Sequence, residues 1–78
     1  MKRVYFSKNI YNNIRNNIKK YRRKKGVTSS ELATAIGITD EYMRRLESEK
    51  SNCGFSFETL YKISIALEVS IDTLIKND

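Results

Sequence analysis

The chain has 78 residues, with 15 Lys and Arg against 9 Asp and Glu for a formal net charge of +6. That length holds one domain whose core is worth roughly 3–5 kcal/mol unaided, with no room for a second domain. With no histidine and Cys53 as its one cysteine, the chain cannot close an internal disulfide. It also lacks the usual groups for a zinc site or for nucleophilic and general-base catalysis, so neither an enzyme nor a bound cofactor is expected.

No apolar run reaches the roughly 18 residues that span a bilayer, and the opening MKRVYFSKNI has no signal-peptide core. A cytoplasmic protein with no membrane partner is expected. The charge is polarised. Residues 1–25 carry ten basic side chains and no acidic one, whereas residues 26–78 carry five basic and nine acidic. Such a distribution suits a face drawn to a polyanion, although a solvated basic helix would look the same.

Residues 1–8 read as a basic and apolar arm. Lys2 and Arg3 precede three adjacent apolar residues, Val4, Tyr5 and Phe6, which are expected to dock on the domain or on a second subunit. Residues 9–78 read as the domain. Its first helix, about 9–25, has an apolar stripe of Ile10, Ile14, Ile18 and Tyr21 and stops at Gly26. The other faces of this helix carry most of the basic charge, and Lys24 and Lys25 in its last turn complement the helix dipole.

Four further helices share one start signature. A Ser or Thr N-cap is preceded by an apolar residue and followed four positions later by another, the hydrophobic staple. The pairs are Val27/Leu32 around Thr28, Ile38/Met43 around Thr39, Phe55/Leu60 around Ser56, and Val69/Leu74 around Ser70. Thr28 and Glu31 also make a capping box. The helices are thereby placed at about 29–36, 40–48, 57–67 and 71–76. Helix four should bury Phe57, Leu60, Ile63 and Leu67, with Ala66 as a small contact. Ile71, Leu74 and Ile75 give the last helix more apolar surface than its own docking needs, which points to a dimer through that end.

Residues 28–47, TSSELATAIGITDEYMRRLE, read as two short helices set at an angle. Leu32, Ile36, Ile38, Met43 and Leu46 fall at buried positions. Ala33 is small where the helices cross, and Gly37 sits where a left-handed backbone is needed. This is the pattern of a helix-turn-helix, whose second helix enters the DNA major groove.

SELATAIGIT, MRRLE and FETLYKISIALEVSIDTLI together resemble the phage-repressor (Cro/C1-type) helix-turn-helix DNA-binding domain family. The resemblance covers about 60 residues, with its motifs running from Tyr21 to Leu74. It implies an all-α, compact five-helix, lambda-repressor-like domain and a homodimer on a two-fold operator. It also implies a largely buried salt bridge between Arg22 and Glu47. Thr39, Asp40, Glu41, Tyr42, Arg44 and Arg45 fall on the exposed part of the recognition helix, and Ser29 and Lys50 at sugar-phosphate contacts. Two positions depart from the family. Ser29 stands where a glutamine is common, and ESEKSNCGF replaces a shorter loop rich in glycine and proline.

Chemically, Arg44 and Arg45 can pair with guanine O6 and N7, each worth about 1–3 kcal/mol of discrimination. Tyr42 can pack on a thymine methyl or bond a phosphate. Against this, Glu41 and Arg45 are spaced to satisfy each other on a solvated face. Asp40 and Glu41 can either accept from cytosine N4 or merely complement the dipole of the first turn. Lys19, Arg23, Lys24 and Lys25 on helix one, with Lys2 and Arg3, are placed to grip flanking phosphates. The leading expectation is a sequence-specific regulator of transcription, a small repressor that binds double-stranded DNA. The alternative is a protein-interaction module, such as an antitoxin or anti-regulator, that uses the same fold on a protein partner.

Overall fold

The computed structural model describes residues 1–3, 8–51 and 54–76. Among these the chain is all-helical: α1 (Lys8–Lys25), α2 (Ser29–Ile36), α3 (Asp40–Glu47), α4 (Phe57–Leu67) and α5 (Ile71–Ile75). The helix α1 starts one residue earlier than the sequence suggests, so Lys8 belongs to the helix, while α3 and α5 each stop one residue sooner. Val4, Tyr5, Phe6 and Cys53 lie outside the described residues.

The start signatures act as written. Thr28, Thr39, Ser56 and Ser70 are extended, and each side chain accepts from a backbone N–H three residues on, at Glu31, Tyr42, Thr59 and Thr73. Each staple joins a half-buried residue (Val27, Ile38, Phe55 or Val69) to a buried one (Leu32, Met43, Leu60 or Leu74). In the turn between α2 and α3, Gly37 has φ 76° and its N–H reaches the carbonyls of Ala33 and Thr34. An L side chain there would cost roughly 1–2 kcal/mol of backbone strain.

One core serves all five helices. Ile14 and Ile18 of α1 meet Leu32, Ala33 and Ile36 of α2, Met43 and Leu46 of α3, Leu60, Ile63 and Leu67 of α4, and Leu74 of α5. Asn17, buried beside Ile18, donates to the carbonyls of Leu74 (2.8 Å) and Lys76 (2.7 Å) and so ties the C-terminus of α5 to α1.

Two expectations about the apolar surface need correction. Phe57 is 73% exposed. The core stripe of α4 runs through Leu60, Ile63, Ser64 and Leu67, and the site before its first turn is filled by Phe55, the staple residue. Phe57 is left outside, where its ring stacks on Tyr61 at 6.3 Å. Leu74 is fully buried in the chain's own core and Ile71 half-buried, which leaves Ile75 as the exposed apolar side chain of α5. The large exposed apolar surface sits instead on α4, at Phe57, Tyr61 and Ile65.

Candidate nucleic-acid interface

The angle between α2 and α3 is held from inside by Leu32, Ala33, Met43 and Leu46 and from outside by a hydrogen bond. The Ser30 hydroxyl of α2 lies 3.1 and 3.0 Å from the two carboxylate oxygens of Asp40, the first residue of α3. Asp40 is therefore engaged within the motif. Sequence reasoning missed Ser30, because a serine in the first turn of a helix carries no signal of a partner ten residues away.

The third helix buries Met43, Leu46 and Glu47 and turns Asp40, Glu41, Arg44 and Arg45 to solvent. Arg45 Nη2 lies 3.1 Å from Glu41 Oε1, with both side chains well exposed. Such a pair is worth less than about 1 kcal/mol and exchanges readily for a stronger anion. Arg44 has no ion-pair partner among the described residues. Tyr42 is half-buried against the core, with its N–H capped by Thr39. Glu41, Arg44 and Arg45 face Ser48, Lys50 and Ser51 across an open cleft of about 860 Å³. The arrangement puts three cationic side chains around one concavity. Ser48 and Ser51 were not singled out in the sequence, since nothing local marks a loop serine as a wall of this cleft.

The end of α3 is fixed by a fork. Arg22 donates through Nε to Glu47 Oε2 (2.9 Å), through Nη2 to Oε1 (3.1 Å) and through Nη1 to the Val27 carbonyl (2.9 Å). The two side chains are 12% and 10% exposed. Arg22 is thus tied to both α3 and the start of α2, and its role here is structural.

The other basic positions differ in what occupies them. Arg23 is exposed and Lys19 half-buried, and among the described residues neither has an ion-pair partner. The ammonium of Lys24 sits 5.5 Å above the Tyr21 ring. Lys25 is 2.8 Å from Glu68 Oε2, a contact that holds the Glu68 carboxyl below its ordinary pKa. Any phosphate contact by Lys25 must share its ammonium with Glu68 or displace it. Lys2 and Arg3 are exposed. Ser29 is half-buried, and its hydroxyl lies out of solvent with no hydrogen-bond partner among the described residues. Ser29 can meet a phosphate only after a rotamer change.

Residues 17–77 match the Cro/C1-type helix-turn-helix DNA-binding domain family. The chain is 39% identical over 59 residues to the HTH-type transcriptional regulator SinR of Bacillus subtilis, covering 74% of this chain and 51% of that protein. It therefore spans about half the length of the curated relatives it matches. A crystal structure of the clp gene regulator ClgR from Corynebacterium glutamicum superposes with a TM-score of 0.77 at 28% identity, over 83% of this chain and 67% of that one. The structure of SinR, a master regulator for biofilm formation, in complex with DNA gives a TM-score of 0.73 at 36% identity, over 81% of this chain and 98% of that one. On the matched residues and the geometry of α2 and α3, this chain belongs to the Cro/C1-type helix-turn-helix DNA-binding domain family.

Proposed function

We propose that this chain is a sequence-specific double-stranded DNA-binding regulator of transcription, a small repressor that acts as a homodimer on a two-fold operator. The observation that carries the reading is the outward face of α3, where Arg44 and Arg45 stand over a cleft shared with Lys50. With α3 in the major groove, Arg44 is the first base reader, because no ion pair among the described residues competes for it. Arg45 becomes the second on releasing Glu41, and Tyr42 and Thr39 approach thymine methyls or phosphates. Asp40, engaged by Ser30, sets the angle of the motif. Lys19, Arg23, Lys24 and Lys50, with Lys2 and Arg3, grip the flanking backbone, and Lys25 joins them, shared with or released from Glu68. Ser29 completes that set once its rotamer turns outward.

The likeness to SinR bound to DNA supports this reading. Selection of bound duplexes from a random pool tests it. The wild type should enrich one short two-fold motif, and Arg44→Ala should relax preference at one base step, by about 1–3 kcal/mol of discrimination. A wild type that enriches nothing and shows no salt-dependent affinity for duplex DNA would sink the proposal.

The exposed carboxylates of Asp40 and Glu41 at the start of α3 favour a second reading, a protein-interaction module such as an antitoxin or anti-regulator. SinR itself has been solved in a complex with the SinI protein. Under that reading Arg45→Ala leaves DNA affinity unchanged and weakens binding to a protein partner.

A further inference from the structure

The helix α1 begins at Lys8, whereas the family match begins at Asn17. Residues 8–16 of α1 lie ahead of the matched residues, and they are not idle. Tyr11 and Arg15, one helical turn apart, share a face. The Tyr11 ring stacks on Phe55 with centroids 6.3 Å apart and planes at 22°. The Arg15 guanidinium sits 5.7 Å from the centre of the Tyr11 ring and 5.4 Å from that of Phe55. Its Nη2 donates to the Ser51 carbonyl at 3.4 Å. Tyr11 also lies against the Gly54 backbone, so that a Cβ added to Gly54 would meet the Tyr11 hydroxyl at 3.4 Å.

These contacts grasp the segment between α3 and α4 on both sides, at Ser51 and at Gly54–Phe55. That segment carries Lys50, which faces Arg44 and Arg45 across the cleft. Arg15 is 2% exposed, and a guanidinium is costly to desolvate unless its surroundings answer the charge. Two aromatic faces and a carbonyl answer part of that charge.

We propose that Arg15, held with Tyr11 and Phe55, is a positioning residue. It fixes the loop backbone so that Lys50 meets a phosphate at a set distance from the bases read by Arg44 and Arg45. The proposal rests on the DNA-binding reading for its consequence, but the bracing itself is measurable without DNA.

The test uses Arg15→Met, Arg15→Lys and Tyr11→Leu in the full chain, each first shown by circular dichroism to be folded at the assay temperature. In DNA-free protein, amide hydrogen exchange should quicken at Ser51 and at Gly54–Phe55 in Arg15→Met and remain unchanged in α2. Unchanged exchange at the loop would overturn the proposal. On the operator selected by the wild type, Arg15→Met should lose about tenfold in affinity and lower the salt slope by about one phosphate contact. Adding Lys50→Ala to Arg15→Met should then cost little more, whereas Lys50→Ala in the wild type should cost as much as Arg15→Met alone. Additive losses would mean that Arg15 only stabilises the domain, and would also overturn the proposal. Arg15→Lys should recover part of the affinity, since the ammonium keeps the charge beside both rings but not the planar fork. Loss of wild-type DNA binding would defeat the functional reading instead, and the exchange measurement would still decide the brace.

Discussion

At the scale of single residues, the polar side chains of the motif divide into those that hold it and those left for a partner. Thr28, Thr39 and Ser30 have their hydroxyls committed within the domain, and Glu31 closes the capping box by accepting from the Thr28 N–H at 3.0 Å. That bond, followed by the Thr28 hydroxyl, holds the Glu31 carboxyl below its ordinary pKa. The sign follows from linkage. A depressed carboxyl pKa favours the folded state above the ordinary carboxylate range, and this contribution is lost as pH falls through the folded value. Acidification below about pH 5 should therefore lower the urea midpoint. Glu31→Gln keeps an acceptor for the Thr28 N–H but cannot titrate, so its midpoint should fall less steeply with acid. Parallel curves for the two proteins would show that Glu31 does not contribute to the acid sensitivity.

At the scale of elements, α1 acts as a spine. It carries Arg22 to the end of α3, Asn17 to the end of α5 and Arg15 to the loop between α3 and α4. The Arg22–Glu47 fork is nearly buried, so the loss of one partner strands the other charge at a cost of about 3–5 kcal/mol. A core of this size supplies about as much in total. Arg22→Met should thus leave the domain largely unfolded at room temperature by circular dichroism. Arg22→Met combined with Glu47→Leu should recover much of the loss, because no unpaired charge remains. A cost below about 1 kcal/mol for the single change would show the fork to be solvated.

The helices are legible in the sequence because each cap and staple lies within six residues and specifies its own start. The core face follows from the same local period. Phe57 misleads because an aromatic residue at helical spacing from Leu60 looks buried, while Phe55 competes for the same place from outside the helix. Arg15, Asn17 and Ser30 are illegible for a different reason. The hydrogen-bond partners of Arg15 and Asn17 lie 36 to 59 residues away in the chain, and a charged or amide side chain in a basic, asparagine-rich helix reads locally as solvated. Among the exposed positions, Arg44 and Arg45 are legible from the motif alone. That Glu41 holds one and not the other depends on which helical spacing the side chains choose.

At the scale of the molecule, the proposed two-fold operator would require two copies, and the largest exposed apolar stripe among the described residues sits on α4. Phe57, Tyr61 and Ile65 are 73%, 51% and 60% exposed and recur every four residues, which makes a stripe along one helix. Glu58 and Lys62 lie together on one flank of that stripe, only 4.0 Å apart and mostly exposed. In an antiparallel, two-fold packing of α4 on its copy, like flanks meet, so Glu58 of one protomer faces Lys62 of the other, twice. The stripe is apolar and self-complementary in charge, as an isologous contact must be. Three side chains fall short of the roughly 800 Å² per partner of a stable interface. The dimer should therefore be weak free in solution and form mainly on DNA, where each protomer is held beside the next. Sedimentation at tens of micromolar should show mostly monomer without DNA and two copies per operator with it. Ile65→Asp should preserve half-site binding but abolish the cooperative second step, and Glu58→Lys should weaken that step until Lys62→Glu is added. Cooperative binding by Ile65→Asp equal to the wild type would place the dimer contact elsewhere.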